Sequence, residues 1–326
     1  MLKYIVRRLL LIIPVLLGAI IIIFTINYFS TTDPAMIKLG INAQNEEMLA
    51  DMRHEMGLDR PYIVQLGDYL LNLCKGDLGD SYIYSKTVAE LIGSRIPNTL
   101  RISLGAILIS ICLGIPLGLA AALHQNSFID YLTSVLAILL TAIPGFLVAV
   151  VLVQFFAVKL GWFPVSGAGN GIRSFILPTI AAGVGSLAQN ARMTRSSVLE
   201  VIRQDYVRTA RAKGISEGKV VTRHVLKNAL IPILTMVGNG MGAAMAGSIL
   251  VEMIFQIPGM GMLINNSINS KDFITVQGCV LVCAIVVCVM NLLTDLAYAA
   301  VDPRIKAQYT AGSKTKKKAS AAKEVA

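Results

Sequence analysis

The chain reads DYVRTARAKG at residues 205–214 and RHVLKNALIP at residues 223–232, between two long apolar runs. This stretch is polar and basic, and its spacing predicts a short helix, a glycine break and a second helix that leads back into apolar sequence. Gly214 stands where the first helix would end, because glycine adopts the left-handed backbone conformation without a side-chain clash. Ser216 follows as the predicted N-cap of the second helix.

The residue spacing in the first of these helices predicts two distinct faces. Tyr206 and Ala210 are four residues apart and share one face, whereas Arg208 and Arg211 are three apart and share another. Ala210 and Ala212 are small, which would let a partner surface come close. The pattern therefore favours a contact element.

Composition places the rest of the chain in a membrane. The 326 residues are 55% hydrophobic with mean hydropathy +0.67, which predicts a polytopic, all-α membrane protein. The formal charge of +10 agrees with basic residues that flank apolar spans, and not with a nucleic-acid surface. The five cysteines form no CxxC pair, so the sequence predicts neither disulfides nor a metal site.

We expect six transmembrane helices. They would cover residues 9–29, 98–123, 131–158, 176–191, 229–251 and 274–297. The run at 9–29 is too long for a signal peptide, and Lys3, Arg7 and Arg8 before it put the N-terminus in the cytoplasm. The even number of spans puts the C-terminus there as well.

In three of these spans, small residues or proline carry a structural expectation. Pro144-Gly145 in the third span predicts a packing kink or a point where the helix bends. Gly183 and Gly185 in the fourth span would permit close helix packing. The fifth span has a run of small residues, with the same expectation: Gly238, Gly240, Gly242, Ala243, Ala244, Ala246 and Gly247.

Residues 31–97 differ in kind from the spans. Charged residues recur, with acids in slight excess, so we expect a small extracytoplasmic insertion with helices at 45–56 and 62–73. Asp77 to Asp80 lacks the spacing of an EF-hand, so turn capping is the preferred interpretation over calcium binding.

The predicted spans and the insertion divide the chain into four parts. These are a first transmembrane helix (1–30), the insertion (31–97), a five-helix core (98–306) and a basic, disordered cytoplasmic tail (307–326). The core includes a loop at 192–228 with nine Lys or Arg and three acids, which is predicted to be cytoplasmic.

The stretch at 206–214 and 223–232 resembles the cytoplasmic EAA loop of ABC-importer permeases, in particular the B subunits of the dipeptide/oligopeptide (peptide/nickel) branch. The general pattern has a glutamate six residues before its glycine, where this chain has Arg208, and its late proline is displaced to Pro232. Other segments resemble the same branch: GLDRP at 57–61, GDLGDS at 76–81, VEMIFQIPGMG at 251–261 and DPR at 302–304.

The resemblance implies a non-catalytic permease subunit for peptides in a bacterial or archaeal cell membrane. Its implied partners are a second homologous permease, two ABC ATPases and an extracytoplasmic substrate-binding protein. The implied ATPase-coupling residues are Tyr206, Arg208, Thr209, Ala210, Arg211, Ala212, Lys213 and Gly214. A loop near the binding protein or gate would contain Glu252, Phe255, Pro258, Gly259 and Gly261.

The residues themselves support a passive subunit. The span interiors carry almost no charge, with Arg101 and Asp295 close to span ends, so no proton relay is evident. No P-loop occurs, so nucleotide hydrolysis is not expected here. No intramembrane His, Ser–Lys or metal motif is evident, so no catalytic or cofactor site is expected either. Arg208 and Arg211 could meet acids on an ATPase or could serve membrane topology alone.

Several alternatives stay open. The solute could be nickel or another small solute, although no His or Met cluster suggests a metal path. A stand-alone channel or secondary carrier is a further alternative, for which no repeat is evident. Polar residues inside the spans could line a pore or, as we prefer, form interhelical hydrogen bonds: Asn27, Gln154, Asn190, Asn239 and Asn291.

Overall fold

The computed structural model describes residues 2–301, which consist of helices joined by turns and loops. In that range the α-helices are α1 (Leu2–Tyr28), α2 (Pro34–Leu39), α3 (Glu46–Glu55), α4 (Tyr62–Cys74), α5 (Val88–Ile109), α6 (Ile115–Leu123), α7 (Phe128–Ala142), α8 (Gly145–Leu152), α9 (Arg173–Ile202), α10 (Asp205–Ala212), α11 (Glu217–Lys219), α12 (Lys227–Ile254), α13 (Met260–Asn269) and α14 (Phe273–Val301). The predicted tail at 307–326 and the DPR motif at 302–304 lie outside the described residues. So do the side chains of Lys3, Arg7, Asn239 and the small residues at 243, 244, 246 and 247.

Three π-helical turns interrupt or extend the long helices. Ser110–Gly114 joins α5 to α6, Val153–Lys159 extends α8, and Val220–Leu226 joins α11 to α12. Because the last of these turns joins α11 to α12 without a gap, residues 217–254 are helical throughout. This agrees with the second helix that the sequence predicts after Gly214.

Three helices in the described range are long and apolar enough to cross a membrane: Arg8–Tyr28, Val88–Leu123 and Phe273–Leu296. The number rises to five if two bent pairs, 128–159 and 217–238, each count as one span. Helix α9 contains the predicted fourth span, 176–191, but is not among these candidates. The total of six spans stays a prediction.

Helices α5 and α9 are the ones whose extension beyond the predicted ends changes the description of the chain. Helix α5 begins at Val88 and not near residue 98, because Thr87 caps it by accepting a hydrogen bond from Glu90 N (3.1 Å) and because Leu91 and Ile92 are buried. Helix α9 continues to Ile202, so residues 192–202 are helical and not part of a loop. The basic connection itself starts only at residue 203.

The predicted third span is two helices. Its break at Ile143 and Pro144 turns α8 by 100° relative to α7. Proline at the break lacks the amide hydrogen that a continuous helix would need there. The structure therefore shows a full break at the position where the sequence predicted a kink or a bend.

The predicted helices of the insertion are confirmed as α3 and α4. Asn45 caps α3 by accepting hydrogen bonds from Glu47 N and Met48 N, and Gly57 ends this region with φ of +66°. Asp77 accepts a hydrogen bond from Gly79 N at 2.8 Å, which is the turn-capping role that the sequence predicted.

Helix α9 lies at the centre of the fold and contacts α5, α6, α7, α8 and α12. Close approach depends on glycine: a Cβ on Gly114 would lie 2.7 Å from the Leu187 carbonyl oxygen, and one on Gly183 would lie 3.0 Å from that of Ala106. The prediction for Gly183 is confirmed, whereas Gly185 has no neighbour within 4 Å of an added Cβ. Arg8, in α1 near the start of the chain, forms an ion pair at 3.0 Å with Asp295, in α14 near the end of the described residues.

Candidate functional site

The basic segment folds as predicted around Gly214. Helix α10 ends at Ala212, and Gly214 follows with φ of +73°, a left-handed conformation that suits glycine. Gly214 N donates to Arg211 O at 2.9 Å, which closes the turn. Ser216 precedes α11 as predicted, but its hydroxyl forms no capping hydrogen bond.

One face of α10 is packed against the protein itself. Val207 and Ala210 are buried in an apolar cluster, hereafter the inner cluster, formed by Ala122, Val198, Val207, Ala210, Val220, Val225 and Ala229. These residues come from α6, α9, α10 and the path into α12. Ala210 is therefore in contact with this chain's own core, and its small side chain lets α10 lie close to that core. Ala212, by contrast, is exposed.

The opposite face of α10 is available to a partner. Tyr206, Arg208, Thr209, Arg211, Ala212, Lys213 and Gly214 are exposed. The Tyr206 hydroxyl accepts a hydrogen bond from Asn228 Nδ2 at 3.0 Å, so α12 fixes this ring at the edge of the surface. The Thr209 hydroxyl donates to Asp205 O at 2.9 Å within the helix.

The two arginines of this surface differ. Arg211 forms two hydrogen bonds with Glu217, at 2.6 and 3.1 Å, which span the Gly214 turn and raise the pKa of the guanidinium. Arg208 has no ion pair with any residue in the range 2–301. Arg208 is thus the more available cation on this face.

The second predicted group, expected on a loop, is folded inward. Glu252 lies in the last turns of α12 and is fully buried, and Phe255 is 2% exposed. Residues 252–261 are thus the end of α12, a short turn and the start of α13, and not one extended loop, while their position near a binding protein or gate stays a prediction. The reason for this fold is a set of hydrogen bonds, some within the segment and some with Asn98 and Thr99, which lie more than 150 positions away in sequence.

Glu252 holds the first turn of α13. Its carboxylate accepts hydrogen bonds from Gly261 N at 2.8 Å, Met262 N at 3.1 Å and the Thr99 hydroxyl at 2.6 Å. Thr99 in turn accepts from Met260 N at 2.8 Å. A carboxylate at a helix N-terminus is favoured by the exposed amides and the helix dipole. Glu252 and Thr99 thus join α12, α5 and α13.

Three further predicted residues, Pro258, Gly259 and Gly261, complete this group, hereafter the Glu252 cluster. Pro258 O accepts a hydrogen bond from Asn98 Nδ2 at 2.9 Å. A Cβ on Gly259 would overlap the Glu252 carboxylate, and one on Gly261 would lie 2.5 Å from Ile249 Cα, so neither position has room for a side chain. Glu252, Pro258, Gly259 and Gly261 are thus brought together as a structural junction, whereas Phe255 packs in an apolar cluster with Phe175 and Leu177.

Sequence reasoning missed a second buried carboxylate beside this junction. Asp272 is fully buried and accepts hydrogen bonds from the Ser81 hydroxyl, Tyr82 N (3.2 Å) and the Thr275 hydroxyl (2.7 Å). It therefore attaches the end of the insertion to the start of α14. An aspartate just before an apolar helix is an N-cap signal that could have identified it.

The polar residues of the spans have different environments. Asn190 donates from Nδ2 to the Ser110 hydroxyl at 2.5 Å, an interhelical hydrogen bond as preferred from the sequence. Asn27 Nδ2 is buried without a partner in the described range, and Asn27 lines a cavity of about 520 Å³ between α1 and the insertion. Gln154 and Asn291 are exposed.

Metal-binding residues do not converge in the described part of the chain. Residues 2–301 contain no group of three or more His, Cys, Asp or Glu side chains placed to hold a metal ion. The cysteines there are free thiols.

Comparison with protein families gives two matches that together cover almost the whole chain. Residues 114–307 match the model described as "binding-protein-dependent transport system inner membrane component", and residues 1–103 match its N-terminal counterpart.

Individual relatives agree with these matches. The chain is 40% identical to the dipeptide transport system permease protein DppB of Alkalihalophilus pseudofirmus, over 94% of this chain and 100% of that protein. It is 38% identical to the glutathione transport system permease protein GsiC of Salmonella typhimurium, over 94% of this chain and 99% of that one. The solved MetNI methionine ABC transporter, in an inward-facing conformation, is similar in fold, with a TM-score of 0.55 at 18% identity over 65% of this chain and 96% of that chain.

Proposed function

The chain belongs to the family of inner membrane components of binding-protein-dependent transport systems, and we propose that it is the permease subunit of an ATP-driven ABC importer for peptides. The observation that carries this proposal is the 40% identity, over 94% of the chain, to a protein named as a dipeptide permease. The protein is a multi-pass inner membrane protein, and a non-catalytic subunit in the sense of its family.

The exposed face of α10 supports a role in coupling to ATPases. Movement driven by ATP has to enter this chain through a surface, and α10 offers a cationic surface whose reverse side is packed into the inner cluster. A force applied at Arg208 or Lys213 would therefore be transmitted through Val207 and Ala210 to α9 and α12. Two ATPases and a second, related permease would complete the membrane assembly.

The opposite end would receive substrate from a binding protein. The insertion, α13 and the start of α14 are held together by Glu252 and Asp272, so they form one joined region. Because the Glu252 cluster is buried, the surface that meets a binding protein would be the exposed parts of the insertion and not the residues 252–261. With the basic segment inside, both termini would be cytoplasmic.

A second substrate has a specific observation in its favour. Glutathione is itself a small peptide, and a relative named for its transport is 38% identical to this chain. Nickel or another small solute stays an alternative of the same branch. A stand-alone carrier would need its own energy source, and the basic segment is better explained by a partner.

Reconstitution tests the proposal directly. The chain is co-expressed with its partner permease and ATPases, placed in proteoliposomes and supplied with the binding protein. We expect uptake of a labelled dipeptide only with ATP and the binding protein, and competition by glutathione or Ni²⁺ ranks the solutes. Dipeptide uptake by this chain alone would overturn the proposal.

A further inference from the structure

Helix α7 contacts the rest of the protein through a narrow face. Of its fifteen residues, only Asp130 and Ala137 are buried. Its large apolar side chains, such as Leu132, Leu136 and Leu139, are exposed. Little of its apolar surface is therefore packed on this chain, and α7 is gripped along one narrow face by its contacts with α9 and α6.

An ion pair supplies that grip at the start of α7. Arg195 of α9 donates to both carboxylate oxygens of Asp130, from Nη2 to Oδ2 at 2.8 Å and from Nε to Oδ1. The Asp130 side chain is 3% exposed and that of Arg195 is 30% exposed. Two parallel hydrogen bonds fix the angle between the groups as well as their separation.

The same carboxylate also holds the turn between α6 and α7. Asn126 N donates to Asp130 Oδ2 at 3.0 Å, and Asn126 has a left-handed φ of +62°. Asp130 thus fixes both the turn and the first turn of α7 relative to α9.

Arg195 lies two turns before the end of α9, and α9 leads almost directly into α10. Only Arg203 and Gln204 separate the two helices. Gln204 N donates to Val201 O at 3.1 Å and Val207 N donates to Gln204 O at 3.0 Å, while Val198 and Val207 pack in the inner cluster. A displacement of α10 therefore carries the end of α9, and Arg195 with it.

The far end of α7 reaches the 100° break at Ile143 and Pro144. Beyond the break, Ala149 of α8 packs in a different apolar cluster, with Phe175, Leu177 and Phe255. Helix α7 is thus a connection between the inner cluster and the outer part of the protein, held at its inner end by one ion pair.

From this geometry, and resting on the proposed coupling role of α10, we propose that Asp130 and Arg195 are positioning residues through which movement of α10 reaches α7 and its break. Without the pair, the ATPases would still drive α10 and α9, but α7 would no longer follow. The pair would then set how much substrate moves for each ATP hydrolysed.

The test compares ATP hydrolysis with dipeptide uptake in proteoliposomes containing the whole complex. In Asp130→Asn and Arg195→Gln we expect hydrolysis within about twofold of wild type and uptake at least about tenfold lower. The charge exchange Asp130→Arg with Arg195→Asp should restore part of the uptake, since the pair would form again with its members exchanged. A merely structural role would lower hydrolysis and uptake together and leave their ratio unchanged.

The chain offers a matched control in the ion pair between Arg8 and Asp295. It joins α1 to α14, neither of which contributes to the inner cluster, so Asp295→Asn should leave the ratio of ATP hydrolysed to dipeptide imported unchanged. If removing one charge prevents assembly, Arg195→Lys keeps the charge but loses the two-bond geometry, and should still raise the ratio. An unchanged ratio in Arg195→Lys and in every assembled Asp130 or Arg195 variant overturns the inference. Absence of ATP-dependent uptake by the wild-type complex instead overturns the proposed function.

Discussion

At the scale of single residues, the structure separates side chains that hold the fold from side chains that face outward. Glu252, Asp272 and Asp130 are carboxylates with almost no exposed surface, and each is surrounded by donors. Burying a carboxylate is costly unless hydrogen bonds compensate it, so each marks a junction between distant segments. Arg208, by contrast, stands on an open surface.

Replacing Glu252 with alanine should strongly destabilise the protein. The Thr99 hydroxyl and two amides of α13 would be left buried without an acceptor, at about 1–3 kcal/mol for each stranded group. Glu252→Gln keeps one acceptor oxygen and should cost less. Thermal melting of the purified protein measures both, and Glu200→Ala, at an exposed position of α9, serves as the control. Equal melting temperatures for Glu252→Ala and Glu200→Ala would contradict this role.

The two arginines of α10 should respond differently to replacement. Arg208→Gln should weaken binding of the ATPases by up to about fivefold, as expected for an exposed charge at an interface. Arg211→Gln should have a smaller effect, because Glu217 already pairs with Arg211 in the free protein. Retention of ATPases in pull-downs at low and high salt measures both effects. If neither variant weakens binding, the arginines serve membrane topology only.

At the scale of elements, α10 is positioned from both sides. Its inner face packs in the inner cluster, and its C-terminal end is set by the left-handed turn at Gly214. The turn fixes the angle between α10 and the path into α12, and the hydrogen bonds of Arg211 with Glu217 cross it. The angle of the exposed face should therefore depend on the backbone at one residue.

Valine at position 214 should disturb this angle without blocking insertion. A Cβ there meets nothing within 4 Å, so the effect is conformational strain, about 1–3 kcal/mol for a β-branched residue at positive φ. We expect ATP hydrolysis to continue while uptake falls at least tenfold. Gly218→Val is the control, since its Cβ is equally unhindered and its φ is not positive. Similar coupling in the two variants would show that the Gly214 turn does not orient α10.

At the scale of the whole molecule, the two ends are built differently. At one end, proposed to be cytoplasmic, an apolar cluster supports one cationic helix, whereas at the other end buried carboxylates connect the insertion, α5, α13 and α14. Helices α5 and α9 run between these ends. This difference is expected if ATPases move the protein at one end and a substrate-binding protein docks at the other.

The orientation in the membrane can be tested with a native residue. Cys74, at the end of α4, is exposed in the described structure, and the insertion is expected outside the cell. A membrane-impermeant maleimide should label intact cells through Cys74, and Cys74→Ser should abolish that labelling. In the Cys74→Ser background, Lys213→Cys should be labelled only after permeabilisation. Labelling of Lys213→Cys in intact cells would invert the proposed topology.

The sequence alone predicted the helix, the glycine turn and the return helix at 205–232, the two helices of the insertion, and the family. These follow from local rules: apolar periodicity, a backbone conformation that favours glycine, and motifs within a few residues of each other. Which side chains would be buried did not follow. Ala210 packs on its own chain, Glu252 is enclosed, and α5 and α9 extend beyond their expected ends. Only the tertiary structure decided these points. Thr99 contacts Glu252, and Asp130 contacts Arg195, although the partners are far apart in sequence, and no local sequence pattern indicates such contacts.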